Sequence, residues 1–412
     1  MCCCLSEAAR ARPHLSPPLP RPREVEVQLP GSQSWSGGGG SSMKLQAGTW
    51  CLVLAAGTAL TLAQYVPPYT EDCRRGTYPP AGPTFKGIVP WYKINLDSAP
   101  HIRWNQLIND KKVELINLIR VIKDLANDFF PSGKLIELVD KGLAPLVDTL
   151  PFPFNEELKG IADASGVPLG RLYHARNMDF GLFLGWDFRN SSWRIPEYLK
   201  PLTVNLDFQK NNRTVFKSTN FAGYVGMLTG MRPGMFTLTM NERFSIDGGY
   251  IGIIEWILGK RDGIWMSFLT RSVLENATSY AQAKDQLANT EMLAPAYFIL
   301  GGNQSSEGCI ITRSRTTSLD IWELDLKQGI WYVLETNYDH WKNPLFLDDR
   351  RTPAMKCMNQ TTQANISIET IYDVLTTKPV LNKLTTYTTL MEVSAGTFES
   401  YLRDCPDPCM PW

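Results

Sequence analysis

The chain has 412 residues, of which 41 are basic and 41 are acidic. Because this balance leaves no net attraction for a polyanion, nucleic acid is excluded as an expected partner. Hydrophobic residues make up 43% of the chain, which is enough for one large core or two small ones.

The first 42 residues have the composition of an unfolded segment. They combine Cys2-Cys3-Cys4, a Pro/Arg stretch and a Gly/Ser run, with no hydrophobic periodicity. This predicts a disordered extension over residues 1–42. The three cysteines could alternatively be palmitoylated or bind a metal.

A different pattern begins at Met43. A basic residue and an apolar run follow, and small residues end the segment at Ala63. This order is typical of a secretory signal peptide, so residues 43–63 are predicted to be removed before Gln64. We expect translation to start at Met43 and the product to enter the secretory pathway.

The glycosylation sequons and the number of cysteines agree with entry into the secretory pathway. Six N-x-S/T sequons are predicted glycosylation sites: Asn190, Asn212, Asn276, Asn303, Asn359 and Asn365. Five cysteines follow residue 63: Cys73, Cys309, Cys357, Cys405 and Cys409. An oxidising compartment would pair four of them, and Cys309, in an apolar strand-like run, is expected to stay unpaired.

The hydrophobic period changes along the chain. An amphipathic helix is predicted over residues 104–130, followed by shorter helices from Ser132 and over 156–164. From Leu172 the period falls to two, and strands are predicted over these ranges: 202–208, 214–217, 221–229, 234–241, 296–300, 308–312, 319–324, 330–336 and 386–393. Helices are predicted over 252–260, 265–275, 279–287 and 367–375. This order favours an α+β fold with stacked sheets covered by helices.

Four polar clusters end strand-like runs, and together they are candidates for a site. They are Arg176 with Asp179, Asn241-Glu242-Arg243, Asn337-Tyr338-Asp339, and Asp348-Asp349-Arg350-Arg351. An Asn can serve an oxyanion hole, an Arg can balance charge, and an Asp can orient an amine. Each cluster alone is more typical of a turn or a solvated ion pair.

Other polar and aromatic residues support fewer conclusions. The four histidines are scattered and no Cys-x-x-Cys occurs, so no metal and no cofactor is predicted. His174 could be a general base or a packing residue. The apolar face of 104–130, and Trp256 with Trp265, could contact lipid or belong to the core.

Long motifs across residues 64–412 resemble the acid ceramidases, a family of lysosomal N-acylsphingosine amidohydrolases. The motifs are Thr70-Glu-Asp-Cys73, Val89-Pro-Trp-Tyr92, Arg176-Asn-Met-Asp-Phe180, residues 200–208, residues 221–230, residues 249–259, Leu293-Ala-Pro-Ala-Tyr-Phe-Ile-Leu-Gly-Gly-Asn303, Phe346-Leu-Asp-Asp-Arg-Arg-Thr-Pro353 and residues 401–409. The related N-acylethanolamine acid amidases share this architecture, but the Cys-Pro-Asp-Pro-Cys tail is closer to acid ceramidases.

The resemblance implies an N-terminal nucleophile hydrolase fold, an αββα sandwich. Residues 64–170 would correspond to a helical α-subunit-like region and 171–412 to a β-subunit-like hydrolase region. In the family the precursor cuts itself before a cysteine, which then attacks the ceramide amide with its own α-amino group as base. Implied partners are ceramide and related N-acyl lipids, a saposin-type activator and the lysosomal membrane surface, within the lysosome lumen or after secretion.

The resemblance also implies roles for individual residues. Arg176 and Asp179 would position the nucleophile, Asn337 would donate to the oxyanion, and Glu242 and Arg350 would brace the site with their charges. It further implies a Cys73–Cys357 bridge, a Cys405–Cys409 bridge and glycans at the six sequons.

This chain departs from the family where the nucleophile should stand. No cysteine, serine or threonine occurs between Ser165 and Ser191, and Gly170 leads directly into Arg171. The segment carrying the family's cysteine and first β-subunit strand is missing. We therefore expect neither self-cleavage nor turnover at more than a trace rate. The alternatives are a non-catalytic lipid-binding or misfolded isoform, or an enzyme similar to N-acylethanolamine acid amidase.

Overall fold

The strand Ala296–Gly302 shows how the layers of the molecule arise from its sequence. In the computed structural model, Ala296, Phe298 and Leu300 join the core beneath the helices, whereas Tyr297 and Ile299 pack with Val333 on the opposite side. Successive side chains of a strand point to opposite faces, so this strand is buried on both faces. It therefore belongs to a sheet that is covered on each side.

The structure describes residues 2–5, 70–129, 144–165, 179, 185–244 and 249–411. The described strands are β1 (Cys2–Leu5), β2 (Phe85–Ile88), β3 (Trp91–Asn95), β4 (Trp186–Asp187), β5 (Ser192–Trp193), β6 (Thr203–Lys210), β7 (Arg213–Phe221), β8 (Thr229–Arg232), β9 (Phe236–Glu242), β10 (Ala296–Gly302), β11 (Gly308–Arg313), β12 (Ser318–Glu323), β13 (Tyr332–Glu335), β14 (Tyr387–Glu392) and β15 (Thr397–Arg403).

The helices in the same part of the chain lie on both outer faces. They are α1 (Asn105–Asp110), α2 (Lys112–Phe129), α3 (Phe154–Ser165), α4 (Arg194–Leu199), α5 (Gly249–Ile257), α6 (Met266–Asn276), α7 (Tyr280–Asn289), α8 (Arg351–Thr361) and α9 (Ile368–Thr376). Among the described helices, none is long and apolar enough to cross a bilayer.

The central sheet has eight strands in the order β12-β11-β10-β9-β8-β7-β6-β3, and only the β3–β6 pair is parallel. One face packs against α2, α3, α6 and α7 in the main hydrophobic core. The other face meets a second layer, in which β14-β15-β2 form one sheet and β1-β13 another. Between the two layers, Tyr387 of β14 contacts Phe221 of β7 edge to face at 5.9 Å.

The outer side of the second layer is covered by α8 and α9. Leu334 of β13 packs with Ala354 and Met358 of α8 and with Val374 of α9. The neighbouring Val333 points inward to the central sheet. The layers therefore follow the order helix, sheet, sheet, helix, which confirms the predicted α+β sandwich.

Several local predictions need correction. The expected single helix over 104–130 is two helices, because the backbone leaves helical geometry at Lys111, whose Nζ donates to the Pro201 carbonyl at 2.9 Å. The expected strand over 221–229 is a loop before β8. The Asn220 amide donates to the carbonyls of Tyr224 and Gly226, and Gly223 has a φ of +89°.

Other elements were not predicted. They include β2, β3, β4, β5, β8, β15, α4 and α8, and also β1, which lies inside the extension expected to be disordered. The helix expected from Ser132 and the residue His174 fall outside the described residues. The boundaries proposed for residues 1–42, 43–63, 64–170 and 171–412 stay predictions.

The apolar face of α1 and α2 belongs to the core. Leu107, Ile108, Leu118 and Leu125 are buried there. Because these side chains pack beneath the central sheet, the alternative of lipid contact by this face is wrong for them.

Candidate functional site

Arg350 joins three polar side chains, one of which lies 171 residues away in the chain. It immediately precedes α8, and its guanidinium donates to Asp179 at 3.1 Å, to Asp348 at 2.8 Å and to the Asn337 side-chain carbonyl at 3.1 Å. We call these four residues the Arg350 cluster. Burial alone would lower the pKa of Arg350, but the charges of Asp179 and Asp348 raise it. Arg350 is therefore a fixed cation that holds the cluster together.

The contact with Arg350 fixes the orientation of the Asn337 amide. Its oxygen accepts from Arg350, and its Nδ2 donates to the backbone carbonyl of Glu242 at 3.1 Å. A side-chain amide has two N–H donors. One donor of Asn337 is thus held against the end of β9, and the second is the group that could reach the oxygen of a substrate carbonyl.

Glu242 reaches this cluster through its backbone. Its side chain is exposed at the end of β9, whereas its carbonyl accepts from Asn337. The structure thus brings Glu242, Asn337, Arg350 and Asp179 together. Arg176 lies outside the described residues, so its predicted position beside Asp179 stays a prediction.

Asp179 sits at an edge of the second layer. It makes an isolated antiparallel bridge with Thr385, two residues before β14. It also lines a cavity of about 690 Å³ between the central sheet and β14, together with Thr229, Thr239 and Leu390. The lining is part hydroxyl and part aliphatic, which gives room for a ligand with polar and apolar ends.

A second buried network, not predicted as such, supports the loop that carries Asn337. Asp339 accepts from Arg243 at 2.7 and 2.8 Å, from the Tyr297 hydroxyl at 2.9 Å and from Lys342 at 2.9 Å. Burial alone would raise the pKa of Asp339, but hydrogen bonds from these partners hold it well below its usual range. Asp339 is therefore a permanent anion that ties β9 and β10 to the loop after β13.

Sequence reasoning marked Asp339 and Arg243 as members of polar clusters but did not pair them. The two residues are 96 positions apart, and Tyr297 comes from a third element. No local pattern singles out Tyr297, because its role follows from the register of β10 beside β9. Burial of the hydroxyl raises the pKa of Tyr297, so it acts as a donor to Asp339.

The cysteines form the two disulfides that the resemblance implies. Cys73 bonds to Cys357, which joins the start of the described body to α8, and Cys405 bonds to Cys409. Cys309 is unpaired and buried, and burial raises the pKa of its thiol to about 11. A thiol in that state is a packing group rather than a nucleophile.

All six sequon asparagines are exposed, which leaves each accessible to an oligosaccharide. They lie on different elements of the surface: Asn190, Asn212, Asn276, Asn303, Asn359 and Asn365. Trp256, in contrast, is 5% exposed and packs edge to face on Trp265 at 5.5 Å, so it belongs to the core.

Exposed apolar side chains border the cluster in sequence. Phe244, two residues after Glu242, is 80% exposed, and Leu258 at the end of α5 is 81% exposed. Leu345 and Phe346, just before Asp348, are 60% and 64% exposed. Large apolar side chains exposed to this extent occur on surfaces that meet lipid or another protein.

Comparison with protein families gives two matches. Residues 168–404 match the family described as linear amide C–N hydrolases, choloylglycine hydrolase family. Residues 87–150 match the family described as the beta subunit of N-acylethanolamine-hydrolyzing acid amidase.

Individual acid ceramidases and one solved structure are also similar to this chain. The chain is 59% identical to the acid ceramidase of Homo sapiens over 386 residues, an alignment that covers 88% of this chain and 98% of the relative. It is 58% identical to that of Mus musculus over 389 residues, with the same coverage. A solved N-acylethanolamine-hydrolyzing acid amidase orthologue from Caenorhabditis elegans is 33% identical, with a TM-score of 0.45, over 51% of this chain and 91% of that one.

Proposed function

The chain belongs to the choloylglycine hydrolase family of linear amide C–N hydrolases, and we propose that the amide for which it is built is that of ceramide. Hydrolysis would release sphingosine and a free fatty acid. The observation that carries this proposal is the Arg350 cluster, in which Asp179, Asn337 and Arg350 meet as the resemblance to acid ceramidases implies.

Each member of the cluster has a role in that chemistry. The free N–H of Asn337 would stabilise the oxyanion that forms when the amide carbonyl is attacked. Arg350 holds Asn337 in place and balances the charge of Asp179, which would orient the attacking group or its base. Arg176 and the carboxylate of Glu242 would complete the bracing of the site.

The surroundings of the cluster fit a lipid substrate. Phe244 and Phe346 lie next to the cluster in sequence and would offer apolar contact with a bilayer. Leu258, Lys260 and Arg261, at and after the end of α5, would add apolar contact and the charge that anionic headgroups attract. We propose the lysosomal membrane as the surface on which ceramide is met, with a saposin-type activator as an accessory partner. The signal peptide over 43–63, the six glycans and the lysosomal lumen belong to the same proposal.

We further propose that the product beginning at Gln64 is nearly inactive at acid pH. Between Ser165 and Ser191 the chain offers no cysteine, serine or threonine to attack the amide. Loss of the nucleophile of a covalent mechanism can lower the rate about 10⁶-fold. The alignment with the human relative has 386 positions, but only 88% of the 412 residues of this chain lie in it, which is fewer residues than positions. Some positions of the relative therefore have no counterpart in this chain, which supports a missing segment.

Two measurements test these proposals without an activity assay. N-terminal sequencing of the secreted or lysosomal product is expected to give Gln64, and a terminus at Met1 or Cys2 on most molecules would contradict the lumenal assignment. A reducing gel after incubation at acid pH is expected to show one polypeptide, because no residue is present to drive self-cleavage. Two subunits in a protease-inhibited sample would contradict the missing nucleophile.

A non-catalytic lipid-binding role is the second candidate. The Arg350 cluster and the cavity beside Asp179 persist without the missing segment. Ceramide binding without turnover, measured by tryptophan fluorescence, would support this role, and its absence would exclude it.

A further inference from the structure

Arg403, the last residue of β15, is a fully buried cation. Its side chain is 0% exposed and lies against Tyr372 of the outer helix α9. A charged side chain is almost never buried to this extent without an opposite charge, because removing it from water is costly. No carboxylate among the described residues shifts the pKa of Arg403. Its positive charge is therefore not balanced by the part of the chain that the structure describes.

Most of the guanidinium also lacks a hydrogen-bond acceptor. Nη2 donates to the Thr376 hydroxyl at 3.0 Å, but neither Nε nor Nη1 of Arg403 has a partner among the described residues. A guanidinium carries N–H donors and no acceptor. These buried N–H groups therefore need an acceptor that the described side chains and backbone do not supply.

Tyr372 brings a further donor to the same place. The centroid of its ring lies 4.7 Å from Cζ of Arg403, its side chain is 1% exposed, and its hydroxyl has no partner among the described residues. Edge-to-face contacts with Tyr78 at 5.8 Å and Tyr401 at 6.1 Å hold the ring. Burial raises the pKa of Tyr372, so its hydroxyl stays neutral and can donate a hydrogen bond.

The charged side chain that does act on Arg403 is another cation. Burial lowers the pKa of Arg403 to about 10, and the positive charge of Arg74 acts in the same direction. Arg74 is itself paired with Glu71, whose Oε2 accepts from its Nη2 at 3.0 Å. Arg403 therefore remains charged at neutral and acid pH, and Glu71 is already used by its neighbour.

The acidic residue beside Tyr372 on α9 is engaged elsewhere. Asp373 accepts from the backbone N–H of Gly76 at 3.0 Å and from that of Thr77 at 2.8 Å. Its carboxylate thus holds the segment that precedes β2, and it forms no ion pair with Arg403.

We propose that Arg403 and Tyr372 form an internal site for one small monovalent anion of the halide class, such as chloride. One unbalanced positive charge calls for one negative charge, and burial of both side chains favours an ion without a large hydration shell. The ion would accept from the guanidinium and from the hydroxyl, and it would join β15 to α9. Neither residue belongs to the Arg350 cluster or lines the cavity beside Asp179, so the site is separate from the proposed catalytic one.

Stability as a function of anion concentration tests the site. The full 412-residue chain is unfolded in urea and followed by circular dichroism, with sodium chloride replacing sodium gluconate at constant ionic strength, so that the screening of surface charges does not change. An anion that binds only the folded state raises the folding equilibrium constant by the factor 1 + [L]/Kd, which is about tenfold for each tenfold increase in chloride well above Kd. Equal stability in chloride and in gluconate would overturn the proposal.

Variants assign the effect to these two residues. We expect Arg403→Met to abolish the dependence on chloride and Tyr372→Phe to weaken it. The matched control is Arg313→Met, because Arg313 is also fully buried but donates to the backbone carbonyls of Leu287 and Thr290. That variant should be less stable and yet keep the full dependence on chloride. An unchanged dependence in Arg403→Met would contradict the assignment.

Bromide locates the ion without the need for any variant to fold. In a crystal of the full chain soaked in sodium bromide, we expect an anomalous peak within hydrogen-bond distance of Nε or Nη1 of Arg403 and of the Tyr372 hydroxyl. A water molecule there without an anomalous signal, or bromide at surface positions alone, would show that the site is not an anion site.

Discussion

Replacement of Arg350 by leucine is the most direct perturbation of the candidate site. The side chain is 7% exposed and forms ion pairs with Asp179 at 3.1 Å and Asp348 at 2.8 Å, besides its bond to Asn337. Removing it leaves two carboxylates facing an apolar group. Breaking a buried ion pair by deleting one partner costs about 3–5 kcal/mol.

The matched control is Lys356→Leu in α8, the helix that Arg350 immediately precedes. Lys356 pairs with Asp72 at 3.2 Å, but the two side chains are 55% and 99% exposed. An exposed pair of this kind contributes about 0–1 kcal/mol. Urea unfolding followed by tryptophan fluorescence should therefore separate the two variants clearly.

The ion pairs of Arg350 and of Lys356 have similar N–O distances, so a difference between the two variants reports on burial and not on the length of the pair. We expect Arg350→Leu to lower the unfolding free energy several times more than Lys356→Leu, and Asp179→Asn in the Arg350→Leu background to recover part of the loss. Equal effects of the two single variants would refute the assignment of Arg350 as the buried centre of the cluster.

Three further predictions concern the scaffold and its compartment. Glu157→Leu leaves the fully buried Arg271 without its main partner, so we expect a loss of about 3–5 kcal/mol in urea unfolding; an unchanged midpoint would contradict it. Because the folded-state pKa of Asp339 is lowered, its stabilisation is present above the unfolded pKa and is lost as the pH falls below about 4. In Asp339→Asn, the unfolding free energy should therefore fall less steeply as the pH is lowered than in the unchanged protein. The same pH dependence in both proteins would count against the Arg243–Asp339 network. Peptide N-glycosidase should lower the mass of the secreted chain, since all six sequons are exposed; a mass that does not change would exclude glycosylation at them.

Regular elements were predictable wherever the hydrophobic period was clear. The helices α6 and α7 and the strands β10 and β11 follow from apolar spacing alone, and Ser279 caps α7 as a serine at that position predicts. Strand β2 was not predicted because it is only four residues long and lies at the edge of its sheet. The alternating burial of β15, the middle strand of the same sheet, was missed. Helix α8 was not predicted, because the charged residues at its start were interpreted as a solvated charge cluster.

The candidate site was predictable as a set of residues but not as a set of contacts. Asp179, Asn337 and Arg350 each end a strand-like run, and the resemblance assigned them roles. Their meeting depends on pairs 171 and 13 positions apart, which no local pattern contains. The pairing of β1 with β13 is a longer example, because composition alone predicts no structure for Cys2-Cys3-Cys4.

Ceramide hydrolysis at acid pH by the purified product that begins at Gln64 tests the central claim most directly. We predict a trace rate for this product, recovery when the missing strand is restored with its cysteine, and no recovery of activity when that cysteine is replaced by alanine. Rapid hydrolysis at acid pH by the unrestored product would contradict the account, because another residue would then carry the chemistry.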